Sequence, residues 1–144
     1  MATRDGSGEW RGDLKGGSGT VSVASGLFRD GNFSFSSRFE EGTGTNPEEL
    51  IGAAHAGCFS MALSNILAEE GHTPESVRTT AKVHLRMVDG APTITQIDLV
   101  TEGRVPGIDQ AQFAHYAEQA KAGCPVSRAL GGVGEITLEP TLVS

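Results

Sequence analysis

Two periodicities divide this chain. Up to about residue 44 the apolar side chains come in short, glycine-punctuated runs with strand-like alternation. Gly8–Gly12, containing Trp10, is one such run. Gly19–Ser25 alternates through Val21 and Val23, and Asn32–Phe39 through Phe33, Phe35 and Phe39 with a change of phase at Ser36-Ser37. Lys15-Gly16-Gly17 and Arg29-Asp30-Gly31 supply turn chemistry between the runs, so the segment reads as a β-meander.

The pattern then changes. Asn46-Pro47-Glu48-Glu49 is a helix start, with Asn as N-cap, Pro at the first helical position and carboxylates in the positive first turn. Leu50–Glu70 is rich in Ala, Leu, Ile and Met and stops at Gly71. Because apolar residues occupy most sides of this helix, it is expected to be buried at the centre of the fold. Val77–Val88 and Ile94–Val100 alternate again, with one slip of phase in the second, and Asp89-Gly90-Ala91-Pro92 turns the chain between them. They are expected to be two longer antiparallel strands. Asp109–Ala122 carries Phe113, Tyr116, Ala117 and Ala120 near helical spacing and ends at Gly123. Cys124-Pro125 opens a short helical turn to Leu130, and Glu135–Leu142 closes the chain as a strand. The sum is a single α+β domain over residues 1–144.

Composition narrows the classes. At 144 residues the chain is close to the size of one domain and needs no disulfide or metal to fold. Twenty glycines, about twice the usual ~7%, match the many turns. The net charge of −7 comes without a Lys/Arg cluster, which argues against a nucleic-acid partner. No uninterrupted apolar run approaches the ~18 residues of a membrane span, and Met1–Glu9 lacks the apolar core of a signal peptide. The expectation is a soluble, cytoplasmic protein with no membrane partner. In that reducing compartment two cysteines are more often free, catalytic or redox-sensing than structural.

Cys58 lies about three turns into the apolar helix, beyond the reach of the helix dipole. A cysteine there is ordinarily a small, inert core residue whose pKa rises with burial. If it is reactive, a cation must be brought to it. His55, three residues earlier on the same face, is one source, and it reads equally as a hydrogen-bonded core histidine. Arg38, permanently charged and forked, is a stronger one. Cys124, at the start of a short helix, can be polarised by free backbone N–H groups, or can simply start the helix. There is no C-x-x-C pair, and spacing alone does not say whether Cys58 and Cys124 meet. Lys15-Gly16-Gly17-Ser18-Gly19-Thr20 lacks the P-loop pattern and has strand-like flanks, so it reads as a hairpin turn. His55, His72, His84 and His115 have no metal-ligand spacing, and neither a metal nor another cofactor is called for.

Two longer stretches are more specific. Gly44-Thr45-Asn46-Pro47-Glu48-Glu49-Leu50-Ile51-Gly52-Ala53-Ala54-His55-Ala56-Gly57-Cys58-Phe59-Ser60-Met61-Ala62-Leu63 and Ala120-Lys121-Ala122-Gly123-Cys124-Pro125-Val126-Ser127 resemble the two motifs of the OsmC family of hydroperoxide reductases. Trp10-Arg11-Gly12-Asp13, Gly19-Thr20-Val21-Ser22, Arg38-Phe39-Glu40 and Val105-Pro106-Gly107-Ile108-Asp109 extend the similarity over nearly the whole chain. His55 favours the OsmC branch over the sister organic-hydroperoxide-resistance branch, where a Tyr is usual.

The resemblance implies an intertwined α+β homodimer, with curved antiparallel sheets around two long central helices and active sites at the subunit interface. It casts Cys58 as the peroxidatic cysteine and Cys124 as the resolving one. Arg38 and Glu48 become the pair that arranges the peroxidatic thiolate, and Glu49 is a secondary carboxylate beside them. The implied activity is reduction of organic hydroperoxides, and of hydrogen peroxide, through a Cys58 sulfenic acid and an intramolecular disulfide. An external dithiol, a lipoylated protein or a small molecule, regenerates the pair. Apolar neighbours such as Phe39, Phe59 and Met61 suit organic peroxides. The alternative from a different class is a non-enzymatic, redox-responsive or small-ligand-binding dimer.

Overall fold

The computed structural model describes residues 2–143, and the chain divides into two compact units, Met1–Leu50 and Ile51–Ser144.

In the first unit, β1 (Gly6–Arg11), β2 (Ser18–Val23) and β3 (Gly31–Phe33) form an antiparallel meander in the order β1-β2-β3. The Lys15-Gly16-Gly17 segment is a turn, as its flanks require. Asp13 closes it by accepting from Gly16 N–H on its carboxylate at 2.8 Å and from Gly17 N–H on its carbonyl at 3.0 Å. Gly19 sits where an added Cβ would come within 2.6 Å of the Trp10 ring, so the absence of a side chain lets Trp10 and Phe33 meet at 5.3 Å between ring centroids.

The strand expected over Asn32–Phe39 stops at Phe33. Ser34 begins a capping box, accepting from Ser37 N–H at 3.1 Å while its own N–H donates to Ser37 Oγ at 2.8 Å. That reciprocal cap starts a one-turn helix, α1 (Phe35–Phe39). Phe35 and Phe39 are therefore neighbours four residues apart on one helix face, with ring centroids 5.0 Å apart and planes tilted by 44°, rather than alternate positions on a strand.

The long helix α2 runs unbroken over Pro47–Glu69. Its start is the expected one: Glu49 N–H donates to Asn46 Oδ1 at 2.8 Å. Gly71, at φ +84°, ends it, and His72 N–H returns to the Leu67 carbonyl at 2.8 Å. Burial differs from the expectation. Gly52, His55, Phe59, Leu63 and Leu67 form one buried stripe at helical spacing, whereas Ala53, Ala54, Gly57, Met61, Asn65 and Ala68 are exposed, Met61 by 78%. α2 is 23 residues long and its mean hydropathy reaches 1.4 over an 18-residue window, so it has the length and composition of a membrane span, with His55, Ser60, Ser64 and Asn65 as the polar residues between Leu50 and Ala68.

In the second unit the buried stripe packs on a sheet ordered β4-β5-β6, comprising β4 (Ser76–Val88), β5 (Ala91–Arg104) and β6 (Glu135–Leu142). Asp89 and Gly90, both at positive φ (51° and 79°), make the tight two-residue hairpin between β4 and β5. The phase slip in β5 is a real bulge. Leu85 pairs with Ile94 and His84 with Gln96, leaving Thr95 as the extra residue. One ladder departs from the antiparallel expectation: β6 joins β5 in parallel, because it returns only after the helical crossover of α3 (Gln110–Gly123) and α4 (Pro125–Ala129).

Inward-facing Ile97, Leu99, Thr101 and Gly103 of β5 meet α2 and α3 in a core that also holds Phe59, Leu63, Leu67, Phe113, Ala117, Ala120 and Cys124. Two glycines allow the closest approaches. An added Cβ on Gly103 would run into the Phe113 ring, and one on Gly52 would lie 3.1 Å from the Ala81 carbonyl of β4. The carboxamide of Gln110 ties α3 to β6, donating to the Pro140 carbonyl at 2.9 Å and accepting from Leu142 N–H at 2.7 Å.

Candidate active site

Both cysteines belong to the second unit, and its folding brings them together. Cys58 projects from the flank of the buried α2 stripe, and Cys124 is the N-cap of α4. The two thiols are free, and they lie close enough for each to shift the acidity of the other. Pro125, at the first helical position, leaves the cap to the Cys124 side chain, whose sulfur accepts from Ser127 N–H at 3.3 Å. The polarised helix-start setting expected for Cys124 is thus present, although the residue is only 1% exposed.

The two thiols differ in acidity. Burial pushes Cys58 up, and the hydrogen bond and charge of Cys124 push it further, against a lowering contribution from the Val126 backbone. Burial also acts to raise Cys124. Hydrogen bonds from the Ser127 hydroxyl and N–H, from Cys58 and from the Val126 backbone outweigh it and leave the thiol below its ordinary value. Within one chain, therefore, Cys124 is the easier thiol to ionise. Ionising Cys58 therefore calls for a positive charge brought to it.

His55 does not supply that charge. Its ring is fully buried, burial lowers its pKa, and Nε2 is 2.7 Å from Ser127 Oγ. A neutral imidazole bonded to serine cannot be the cation of a thiolate. Ser127 itself was not singled out from the sequence. The available signal was its place three residues after Cys124, the spacing at which an N-cap side chain meets the helix.

Arg38 and Glu48 belong to the first unit and are joined there. Arg38 Nε donates to Glu48 Oε1 at 2.9 Å, with the carboxylate side chain 8% exposed and the guanidinium side chain 36%. The guanidinium also lies over the Phe39 ring, 5.3 Å from its centroid. Glu49 is exposed and engaged elsewhere, accepting from Thr45 Oγ1 at 2.5 Å. Of the two adjacent carboxylates, Glu48 is the partner of the arginine.

Beside Arg38 is a pocket of about 230 Å³ lined by Trp10, Leu14, Phe33, Ser34, Phe35 and Phe39. Of the apolar residues expected to suit organic peroxides, Phe39 lines this pocket, whereas Phe59 is fully buried in the core. Trp10, Leu14, Phe33 and Phe35 supply the rest of its apolar wall. Their convergence depends on α1, which the strand reading of Asn32–Phe39 had hidden.

The family model described as OsmC-like protein matches residues 40–139. The chain is 53% identical over 141 residues to "Peroxiredoxin OsmC" of Escherichia coli (strain K12), covering 98% of this chain and 97% of that protein. It is 33% identical over 100 residues to an "Organic hydroperoxide resistance protein" of Xanthomonas axonopodis pv. citri, covering 67% of each. Among solved structures, the chain superposes on the organic hydroperoxide resistance protein OhrB of Bacillus subtilis with a TM-score of 0.71 at 23% identity, covering 96% and 98% of the two chains. An OsmC-like protein from Mycoplasma pneumoniae gives a TM-score of 0.74 at 17% identity, covering 99% of each. At those identities the structures speak for the shared fold.

Proposed function

The chain belongs to the OsmC family, and on that premise we propose that it is a cysteine-dependent peroxidase that reduces organic hydroperoxides, and hydrogen peroxide, in oxidative-stress defence in the cytoplasm. The observation that carries the reading is the proximity of two free thiols: Cys58 of α2 packs on the core cluster that holds Cys124, the N-cap of α4, and each shifts the other's acidity. Two thiols in contact can cycle through a disulfide without a large rearrangement.

The Cys58 thiolate attacks one oxygen of ROOH. The S–O bond forms as the O–O bond breaks, the sulfur is oxidised to a sulfenic acid, and the alkoxide leaves and is protonated to ROH. Cys124 then attacks the Cys58 sulfenic sulfur, the S–S bond forms, and the hydroxyl departs as water. An external dithiol restores both thiols by exchange and is itself oxidised to a disulfide. No metal, haem or flavin enters these steps.

The first step needs Cys58 ionised, and burial opposes that. The ion-paired Arg38 is the cation suited to this role. Glu48 orients its guanidinium and leaves other N–H donors free for a thiolate and a peroxide oxygen. The two sides of the site come from different subunits in this reading. Glu48 precedes Cys58 by ten residues (58 − 48) on an unbroken helix, roughly 15 Å of axial rise. That is farther than a carboxylate reaches. A homodimer in which the exposed Ala53, Ala54, Gly57 and Met61 face of α2 is covered by a second copy places Arg38 of one chain against the partner subunit's Cys58. The small residues on that face permit close approach, and the apolar exposure gives the association its driving force. The pocket beside Arg38 is apolar on nearly every side, which suits the R group of an organic hydroperoxide better than hydrogen peroxide.

The test is a turnover assay with cumene hydroperoxide and dithiothreitol, run against hydrogen peroxide. Many turnovers per chain, lost in Cys58→Ser, are expected. A Cys58→Ser protein with full turnover would remove the mechanism, and a single stoichiometric oxidation would leave a redox-responsive protein instead.

A further inference from the structure

Ser127 stands between two groups that the reading above treats separately. Its hydroxyl is 2.7 Å from His55 Nε2 and 3.4 Å from Cys124 Sγ, and its backbone N–H donates to the same sulfur at 3.3 Å. The assembly is sealed from water: His55 is 0% exposed, Cys124 1% and Ser127 5%. His55 Nδ1 is buried and has no hydrogen-bond partner among the described residues.

We propose that Ser127 and His55 are positioning residues for the resolving thiol, holding Cys124 against Cys58 and stabilising it as a thiolate both when it attacks and when it leaves. The proposal rests on the assignment of Cys124 as the resolving cysteine.

The hydroxyl of Ser127 has two useful orientations. When Cys124 is protonated, its S–H donates to Ser127 Oγ, whose own proton goes to His55 Nε2. When the sulfur is negative, the hydroxyl turns and donates to it, and its oxygen accepts from Nε2–H. Two donors from Ser127, one side chain and one backbone, then converge on the sulfur. Which orientation dominates depends on the imidazole tautomer. With the proton on Nδ1, a buried N–H is left unpaired. With the proton on Nε2, only a lone pair is left unpaired, and a bare acceptor is the less costly orphan. The isolation of Nδ1 therefore favours the tautomer that supports the thiolate. A burial that keeps the ring neutral leaves it as a hydrogen-bond donor rather than a competing charge.

This thiolate enters the cycle twice. As nucleophile it displaces hydroxide from the Cys58 sulfenic sulfur, which becomes water by taking up a proton. As leaving group it departs when the external dithiol attacks Cys58 of the disulfide, and the fragment that leaves most readily is the one best stabilised as an anion. The groups that act on Cys124 are few. From α2 they are Cys58, directly, and His55 through Ser127. Of the charged residues on α3 and α4, Glu118 and Lys121 pair with each other at 3.4 Å, and Arg128 is exposed. The strand residues in the same core, Ile97 and Leu99, are apolar.

In the full chain carrying Cys58→Ser, Cys124 is the only thiol. Its ultraviolet thiolate absorbance against pH reports its ionisation with neither peroxide nor reductant present. Adding Ser127→Ala is expected to move the midpoint up by about one pH unit, a roughly tenfold loss of thiolate at fixed pH. Adding Ser127→Thr is expected to restore it, and His55→Leu to shift it in the same direction as Ser127→Ala by less. An unchanged midpoint in a folded Ser127→Ala protein overturns the proposal. Should that protein not fold, the His55→Leu titration decides: a raised midpoint upholds the proposal and an unchanged one overturns it. A shifted midpoint with no peroxide turnover in the wild-type chain would remove the peroxidase reading and keep the stabilisation of the Cys124 thiolate by Ser127 and His55. Turnover without a shift would remove that stabilising role alone.

Discussion

Arg38 and Glu48 are paired within one chain, Nε to Oε1 at 2.9 Å, and the carboxylate is nearly sealed from water while the guanidinium is one-third exposed. A buried charge bonded to a partly exposed one acts as an anchor: Glu48 fixes the orientation of Arg38 while the open side of the guanidinium stays available. Its second oxygen, Oε2, is buried and has no hydrogen-bond partner among the described residues, so the cost of burying Glu48 is not offset by local bonds alone. Glu48→Gln keeps the shape and removes the charge. It is expected to lower kcat/KM for cumene hydroperoxide by roughly ten- to a hundredfold, the worth of one charge-assisted hydrogen bond. Glu49→Gln, altering an exposed carboxylate bonded to Thr45, is expected to leave it within about twofold. Equal losses from the two substitutions would contradict the assignment.

Cys124→Ser separates the two chemical steps. The variant is expected to reduce about one equivalent of hydroperoxide per chain and then stop, since the Cys58 sulfenic acid has no thiol to condense with. Under excess peroxide, Cys58 should advance to sulfinic and sulfonic acid, which intact-mass spectrometry reads as additional oxygen atoms. Sustained turnover with dithiothreitol at the wild-type rate would mean that Cys124 is not the resolving thiol.

What could be read in the sequence followed local rules. The caps of α2 and α3 and the ends of β6 are set by residues adjacent in the chain, and they fall where those residues indicate; the turn expected over Asp89-Gly90-Ala91-Pro92 is there too, but tightened to Asp89-Gly90, with Ala91 and Pro92 already paired in β5. Asn32–Phe39 misled because Phe35 and Phe39 fit both a strand and one helical turn. The Ser34–Ser37 capping box decided between them. The meeting of Cys58 with Cys124 depends on how α4 packs on α2, which no spacing encodes. Ser127 escaped notice for a similar reason, since its hydroxyl acquires a role only when His55 arrives from another helix. The exposed face of α2 is the counterpart: apolar composition foretold burial, and a single chain covers only one stripe of it.

Away from the site, Asp98 ties three strands together. It accepts from Gln96 Nε2 at 2.6 Å, from Thr137 Oγ1 of β6 at 2.7 Å and, on its other oxygen, bonds His84 Nε2 of β4 at 2.7 Å. These bonds, that of Gln96 first, hold its carboxyl far below the usual carboxylate range. A depressed folded-state pKa gives stability that is complete above the unfolded value of about 3.9 and is lost as pH falls through the folded value. Asp98→Asn is therefore expected to cost about 1–3 kcal/mol at neutral pH. The gap from wild type should narrow as pH falls below about 4. Urea denaturation at neutral pH and at pH about 3 measures both, and a gap independent of pH would show that the carboxylate charge is not what joins the strands.

The interface reading has a test that does not depend on any rate constant. If Cys58 of one subunit is served by the Arg38–Glu48 pair of the other, then a Cys58→Ser chain still carries a working Arg38–Glu48 pair, and a Glu48→Gln chain still carries a working Cys58. Each homodimer is impaired, because each lacks one half of both its sites. A mixed dimer has one complete site, Cys58 from the Glu48→Gln chain and Arg38–Glu48 from the Cys58→Ser chain. Equal co-expression places half of the dimers in the mixed form with one of two sites restored, so activity per chain is expected to reach about a quarter of wild type. Sites built within a single chain predict no recovery, since every Glu48→Gln chain would keep its own defective site. Activity of the co-expressed pair equal to the mean of the two separate variants would therefore rule out a shared active site, whatever the oligomeric state.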